Sequence, residues 1–302
     1  MEPVNHAIGI LLAMVTSVSW AGASFCIKPA LRYVAVTKAT ATMTILNASF
    51  VSLTTLLFVP LAAFRPVRWE TWIFVLLAGA LHFGISRVFM NAAIHRIGPN
   101  RTIPVANSFP LVTAFVATVA LGEPLTARIL IGLALLLMGI TLIVRARPAM
   151  NEPTQPATAS RSISGWIFAG LTSLLMGVSA VFFKNACLDL PPLVVSTMAL
   201  WVGTGIAWLI VGVSKKHAPQ GVVPFRVWWW VIASAICQSM AVPFYNTALT
   251  YTFAVHVTAL ASAQPLVALP MGWIFMREAE NITPQLIAGV VLAVGGTLLV
   301  II

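Results

Sequence analysis

The chain has 302 residues, 60% of them hydrophobic and only 8% charged, with a formal net charge of +10 and a mean hydropathy of +0.97. Soluble domains carry about 25% charged residues, so a water-soluble globular protein is excluded. In a soluble chain the positive balance would suggest nucleic acid. Here Lys and Arg punctuate apolar runs, which points to orientation in a lipid bilayer and to no nucleic-acid partner.

One bilayer crossing takes about 20 apolar residues. Charges and turn residues bracket ten such segments, near 7–27, 40–63, 71–94, 103–121, 127–145, 164–184, 193–213, 227–249, 254–276 and 284–302. The start, Met-Glu-Pro-Val-Asn-His, lacks the basic stretch of a cleavable signal, so the first segment is expected to stay as a span. Cys26, Cys187 and Cys237 show neither disulfide nor metal-ligand spacing and read as small hydrophobes. No metal and no cofactor are expected.

The longest polar stretch, Arg145 to Ser162, is rich in Pro, Ser, Thr and Ala and reads as a linker. It divides the chain into 1–145, a linker at 146–163, and 164–302, with five spans in each half. Loops after the odd-numbered spans hold Lys28, Arg32, Lys38, Arg96, Arg101, Arg145, Arg147, Arg161, Lys215, Lys216, Arg226 and Arg277. Loops after the even-numbered spans hold only Arg65, Arg68, Arg128 and Lys184. The excess places the odd-numbered loops in the cytoplasm and both termini outside.

The halves repeat one another. Placing Asn91 on Asn246 brings Ala93 to Ala248, Ala106 to Ala261, Pro110-Leu111-Val112 to Pro265-Leu266-Val267, and Glu123 to Glu278. Thr16-Ser17 likewise matches Thr172-Ser173, with Lys28 on Lys184, and GITLIV (139–144) resembles GGTLLV (295–300). Five is odd, so the second copy enters the membrane inverted. The charges agree: the loop after span 3 has Arg96 and Arg101, whereas its counterpart after span 8 has neither Lys nor Arg. The expected fold is therefore all-α and integral to the membrane, with ten transmembrane helices as two inverted five-helix repeats. Secondary transporters are built this way.

Trp20-Ala21-Gly22 in the first span, Gly122-Glu123-Pro124-Leu125-Thr126 closing the fourth, and the pairs Gly132/Gly139 and Gly289/Gly296 resemble the EamA-type drug/metabolite transporter superfamily. The second copy departs from the pattern, with Arg277-Glu278-Ala279-Glu280 at the Gly-Glu turn and Met176-Gly177 where the first has Trp-Ala-Gly. The resemblance implies export or facilitated diffusion of amino acids and related metabolites, the aromatic amino acid exporter branch being nearest. It also implies a multi-pass protein of a bacterial-type inner membrane.

Polar groups at mid-span are costly in lipid and so are candidate site residues. His82 and Gln238 fall at comparable depth in the repeat register, either facing a central cavity or serving as interhelical glue. Arg87 shares a helical face with Phe83 and Asn91 and reads as a partner for a substrate carboxylate, or as a residue that snorkels to the span end. Gln238 and Tyr245 share a face, with Asn246 beside Tyr245. Asn107 and Ser108 precede Pro110, as Ser262 and Gln264 precede Pro265; each proline frees a carbonyl for a ligand, bends a gating helix, or simply kinks it. Trp20, Trp201 and Trp273 lie inside spans and either line an aromatic-tolerant cavity or pack the core, while Trp69, Trp72 and Trp228-Trp229-Trp230 read as interfacial anchors.

The acids Glu2, Glu70, Glu123, Glu152, Asp189, Glu278 and Glu280 all fall in loops or at span ends. Without an embedded carboxylate, facilitated diffusion or exchange is expected unless His82 carries a proton. Glu123 and Glu278 are expected to complement the dipoles of the helices that follow them. An intramembrane enzyme and a channel are the alternatives. The first needs a convergent nucleophile, acid or metal set, and the second repeated polar rings along a pore; neither pattern is present in the sequence. A small-molecule substrate, the lipid bilayer and a functional monomer are the expected partners and state.

Overall fold

The computed structural model describes residues 3–27, 29–30, 33–34, 36–60, 67–97, 99–146, 163–213, 224–267, 271 and 283–302. All regular structure among them is helical. The helices are α1 (Pro3–Ile27), α2 (Val36–Phe58), α3 (Trp69–Gly79), a π-helical segment (Ala80–Ile85), α4 (Ser86–Ile97), α5 (Pro99–Ala106), α6 (Phe109–Leu121), α7 (Ala127–Ala146), α8 (Ile163–Asp189), α9 (Pro192–Val213), α10 (Phe225–Tyr251), α11 (Ala254–Ser262) and α12 (Pro284–Ile301). Nine helical stretches among the described residues are long and apolar enough to cross a membrane. The span expected at 254–276 is described as an apolar helix over Ala254–Val267. Most of its remainder lies outside the described residues, as do Trp273, Glu278 and Glu280 and nearly all of the linker.

Two compact units emerge, and each takes helices from both halves of the sequence. The first comprises Met1–Ile85 and Phe182–Thr252, the second Ser86–Val181 and Phe253–Ile302. In the first, α1 packs on α10, α2 on α9, and α9 on α3 and the π-helical segment. Small residues allow the close approach. A Cβ on Gly79 would lie 2.5 Å from the carbonyl oxygen of Ala199, and one on Gly84 2.7 Å from the Ile206 side chain.

In the second unit α7 packs on α12, and α6 on α11. A Cβ on Gly132 would meet the Gly296 carbonyl oxygen at 2.8 Å, and one on Gly139 would meet that of Gly289 at 2.5 Å. Leu133, Leu136, Ile140 and Ile143 of α7 pack with Ala293 and Val300 of α12 in the buried core. The Gly-Glu-Pro turn after α6 has a local cause. Gly122 takes the left-handed conformation at φ 67°, ending the helix, and Pro124 prevents its resumption.

Glu123 corrects an expectation. Its carboxylate reaches past α7, the helix that follows it, to α11: both oxygens accept the backbone N–H of Ala254, at 3.0 and 2.9 Å. The first turn of α7 instead has Thr126, whose hydroxyl accepts the N–H of Ile129 at 3.3 Å.

Candidate functional site

The first unit contains a cluster of five buried rings. His82 sits in the π-helical segment, where one extra residue per turn redirects side chains and where functional sites recur. Its imidazole stacks on Trp20 of α1, with ring centroids 6.2 Å apart and planes 23° apart. It meets Phe83 edge-on at 4.7 Å and Phe183 of α8 edge-on at 5.6 Å, and lies 6.1 Å from Tyr245 of α10. Tyr245 closes the set, 5.4 Å from Trp20 and 6.3 Å from Phe183. All five are at most 5% exposed. Aromatic pairs in these offset and edge-on geometries contribute about 0.5–1.5 kcal/mol each beyond area burial.

The polar atoms of the cluster are less well provided for. Trp20 Nε1 and the Tyr245 hydroxyl are buried with no hydrogen-bond partner among the described residues. Asn246 donates from Nδ2 to the Ser196 hydroxyl at 2.8 Å, yet its Oδ1 has no partner. Each such group costs about 1–3 kcal/mol relative to a satisfied one. Gln238, two turns before Tyr245 on the same helix, is buried as well. An apolar aromatic body with a few hydrogen-bonding groups left open is the composition of a small-molecule site.

Of the expected site residues, Trp20, His82 and Tyr245 come together here, with Gln238 and Asn246 buried on the same α10. Trp201 does not join them. It is 44% exposed, on the outside of α9, and donates its indole N–H to the Ser52 hydroxyl of α2 at 3.0 Å. Arg87, Asn91, Asn107, Ser262, Gln264, Pro110 and Pro265 belong to the second unit. Within it Arg87, Asn91, Asn107 and Gln264 are half-buried, and the buried Ser262 hydroxyl turns back to the Ala259 carbonyl at 2.9 Å. Pro110 follows an interruption within the Arg101–Leu121 span. The chain breaks at Asn107-Ser108, and the proline occupies the first turn of α6, where a missing N–H costs nothing.

Several participants carried no signal in the sequence. Phe83 and Phe183 sit in apolar runs where any phenylalanine could face lipid. Asn47, fully buried in α2, is embedded among small polar residues and reads as packing. Pro243 lies inside α10, two residues before Tyr245, and deprives the Ser239 carbonyl of its helical donor.

A family model described as the EamA-like transporter family matches the chain twice, over residues 7–145 and 163–302. The chain belongs to the EamA-like transporter family. It is thus a multi-pass membrane transporter of two repeats, with a small molecule as its cargo. Twenty-nine chains of solved structures match it. One, described only as the crystal structure of a protein, reaches a TM-score of 0.74 at 18% identity over 99% of this chain and 96% of its own. That likeness speaks for the fold alone. No curated protein matches the sequence.

Proposed function

We propose that this EamA-family transporter moves small amphipathic metabolites, foremost amino acids including aromatic ones, by alternating access of its two inverted copies. The observation that carries the reading is His82 ringed by Trp20, Phe83, Phe183 and Tyr245, with Trp20 Nε1 and the Tyr245 hydroxyl open. A planar apolar side chain stacks in such a cluster, and its polar edge meets groups that the protein itself leaves unsatisfied.

Facilitated diffusion or exchange is the proposed energetics. Glu123 is buried but committed to the amide of Ala254, and Asp189 accepts from the Thr71 hydroxyl and pairs with Arg68 at 3.5 Å. Both lie at helix ends rather than inside a span. The direction proposed is export across a bacterial-type inner membrane, with the monomer as the working unit, since one chain supplies both repeats. Counterflow into proteoliposomes preloaded with unlabelled amino acids tests this. Saturable uptake of labelled phenylalanine or tryptophan, indifferent to a pH gradient, supports it; absence of flux for every amino acid in folded protein refutes the substrate class.

A further inference from the structure

Within the first unit the contacts between helices set a common level. α2 and α9 run antiparallel: the hydroxyls of Thr55 and Thr197 are 2.7 Å apart, Thr55 also donates to the Leu193 carbonyl at 3.3 Å, and Ser52 accepts from Trp201. Two helical turns along this stripe, Asn47 of α2 comes opposite Thr204 of α9, because i and i+7 or i+8 share a face. The π-helical segment runs beside α9 in the same sense, with Gly79 against Ala199 and Gly84 against Ile206, which brings His82 and Phe83 to the height of Thr204. On the other side Ser234 donates to the Ala23 carbonyl at 2.7 Å and contacts the Met43 sulfur at 3.1 Å. One turn further, Gln238 of α10 and Trp20 of α1 reach the height of Asn47. Trp20, Asn47, His82, Thr204 and Gln238 therefore occupy one layer.

In that layer the ladder between α2 and α9 is interrupted. Thr55 and Thr197 bond directly, whereas at the matching step Asn47 Nδ2, Asn47 Oδ1 and Thr204 Oγ1 are all buried without a partner among the described residues. Asn47 is 0% exposed and Thr204 3%. Both are uncharged, and Asn47 presents a donor and an acceptor side by side.

We propose that Asn47 and Thr204 form a polar subsite that reads the head group of an α-amino acid. Asn47 Nδ2 donates to the carboxylate, while Asn47 Oδ1 and Thr204 Oγ1 accept from the ammonium. A zwitterion suits this pair because its own charges neutralise each other, so neither leaves an uncompensated charge in the membrane interior. The proposal rests on the amino-acid reading above, and it assigns specificity to two residues outside the ring cluster.

The test is counterflow of labelled phenylalanine competed by phenylalanine, phenethylamine, which lacks the carboxylate, and 3-phenylpropanoate, which lacks the amine. Asn47→Ala should lose about tenfold of the preference for phenylalanine over each truncated analogue, and Thr204→Val about tenfold over 3-phenylpropanoate alone, the effect expected when one buried polar contact is removed. Asn47→Asp is the sharper variant. It preserves shape but replaces the donor with a carboxylate oxygen, and should invert the preference toward phenethylamine, an outcome that loss of folding cannot imitate. Unchanged competition ratios in all three variants, with wild-type flux intact, would overturn the subsite while sparing the amino-acid reading. No wild-type flux for any amino acid would overturn both.

Discussion

Thr16 donates its hydroxyl hydrogen to the carbonyl of Ala241, 3.3 Å away on α10, while also bonding its own helix at the Leu12 carbonyl. Its repeat counterpart Thr172 does the same toward Ser86, at 3.4 Å, and toward Phe168. Ala241 and Ser86 are themselves counterparts. The steric contacts repeat too: Gly9 abuts Thr252 as Gly165 abuts Ile97. The same span-on-span contact is thus built once in each unit, from opposite copies of the repeat. Thr16→Val and Thr172→Val should therefore lower thermal stability by similar amounts, about 0.5–1.5 kcal/mol each. Thermal unfolding of the purified variants in one detergent checks the equality.

The α7–α12 contact makes a steeper demand. Gly139→Leu must push its side chain into the backbone of α12 at Gly289 and Ala293 and should cost about 1–3 kcal/mol. Gly170→Ala, at an exposed helix position with nothing within 4 Å, should be neutral or stabilising by roughly 0.5–1 kcal/mol. Fluorescence-detected melting of the pair separates close packing from a general intolerance of glycine replacement.

Capping of α11 by Glu123 predicts a graded series. Glu123→Ala leaves the Ala254 amide buried and unpaired, a cost of about 1–3 kcal/mol. Glu123→Gln keeps one acceptor oxygen and should lose less. Equal melting temperatures for the two variants would show that the carboxylate contributes only its charge.

At the ring cluster stability and function should part. Tyr245→Phe removes a buried hydroxyl that has no partner, so the melting temperature should hold or rise. Counterflow of substrates that bond to that hydroxyl should weaken, by about tenfold at most. Melting curves and flux measured on the same preparation report both effects.

The sequence shows the architecture more fully than the site, for a physical reason. Apolar length and repeat register survive in the primary structure, so Thr16 and Thr172 could be paired before any contact was known. Radial direction does not survive. Lipid and protein interior are equally apolar, and a span carries no reliable periodicity to tell its two faces apart. Trp20 and Trp201 look alike in the sequence, yet one is buried against His82 and the other faces outward. His82, Gln238 and Tyr245 stood out as polar groups within apolar runs. Phe83, Phe183 and the π-helical turn had no such mark, and Asn47 was hidden among threonines and serines. Glu123 reads as a cap for the helix that follows it, but the amide it holds is that of Ala254, far along the chain and beyond what local sequence can indicate.

The central claim is that the ring cluster around His82 receives an aromatic amino acid during transport. Counterflow of labelled phenylalanine by wild type and Trp20→Ala, in proteoliposomes with matched protein incorporation and matched melting temperatures, tests it most directly. Saturable wild-type flux that collapses in Trp20→Ala is the predicted result. Equal flux in the two proteins would contradict it.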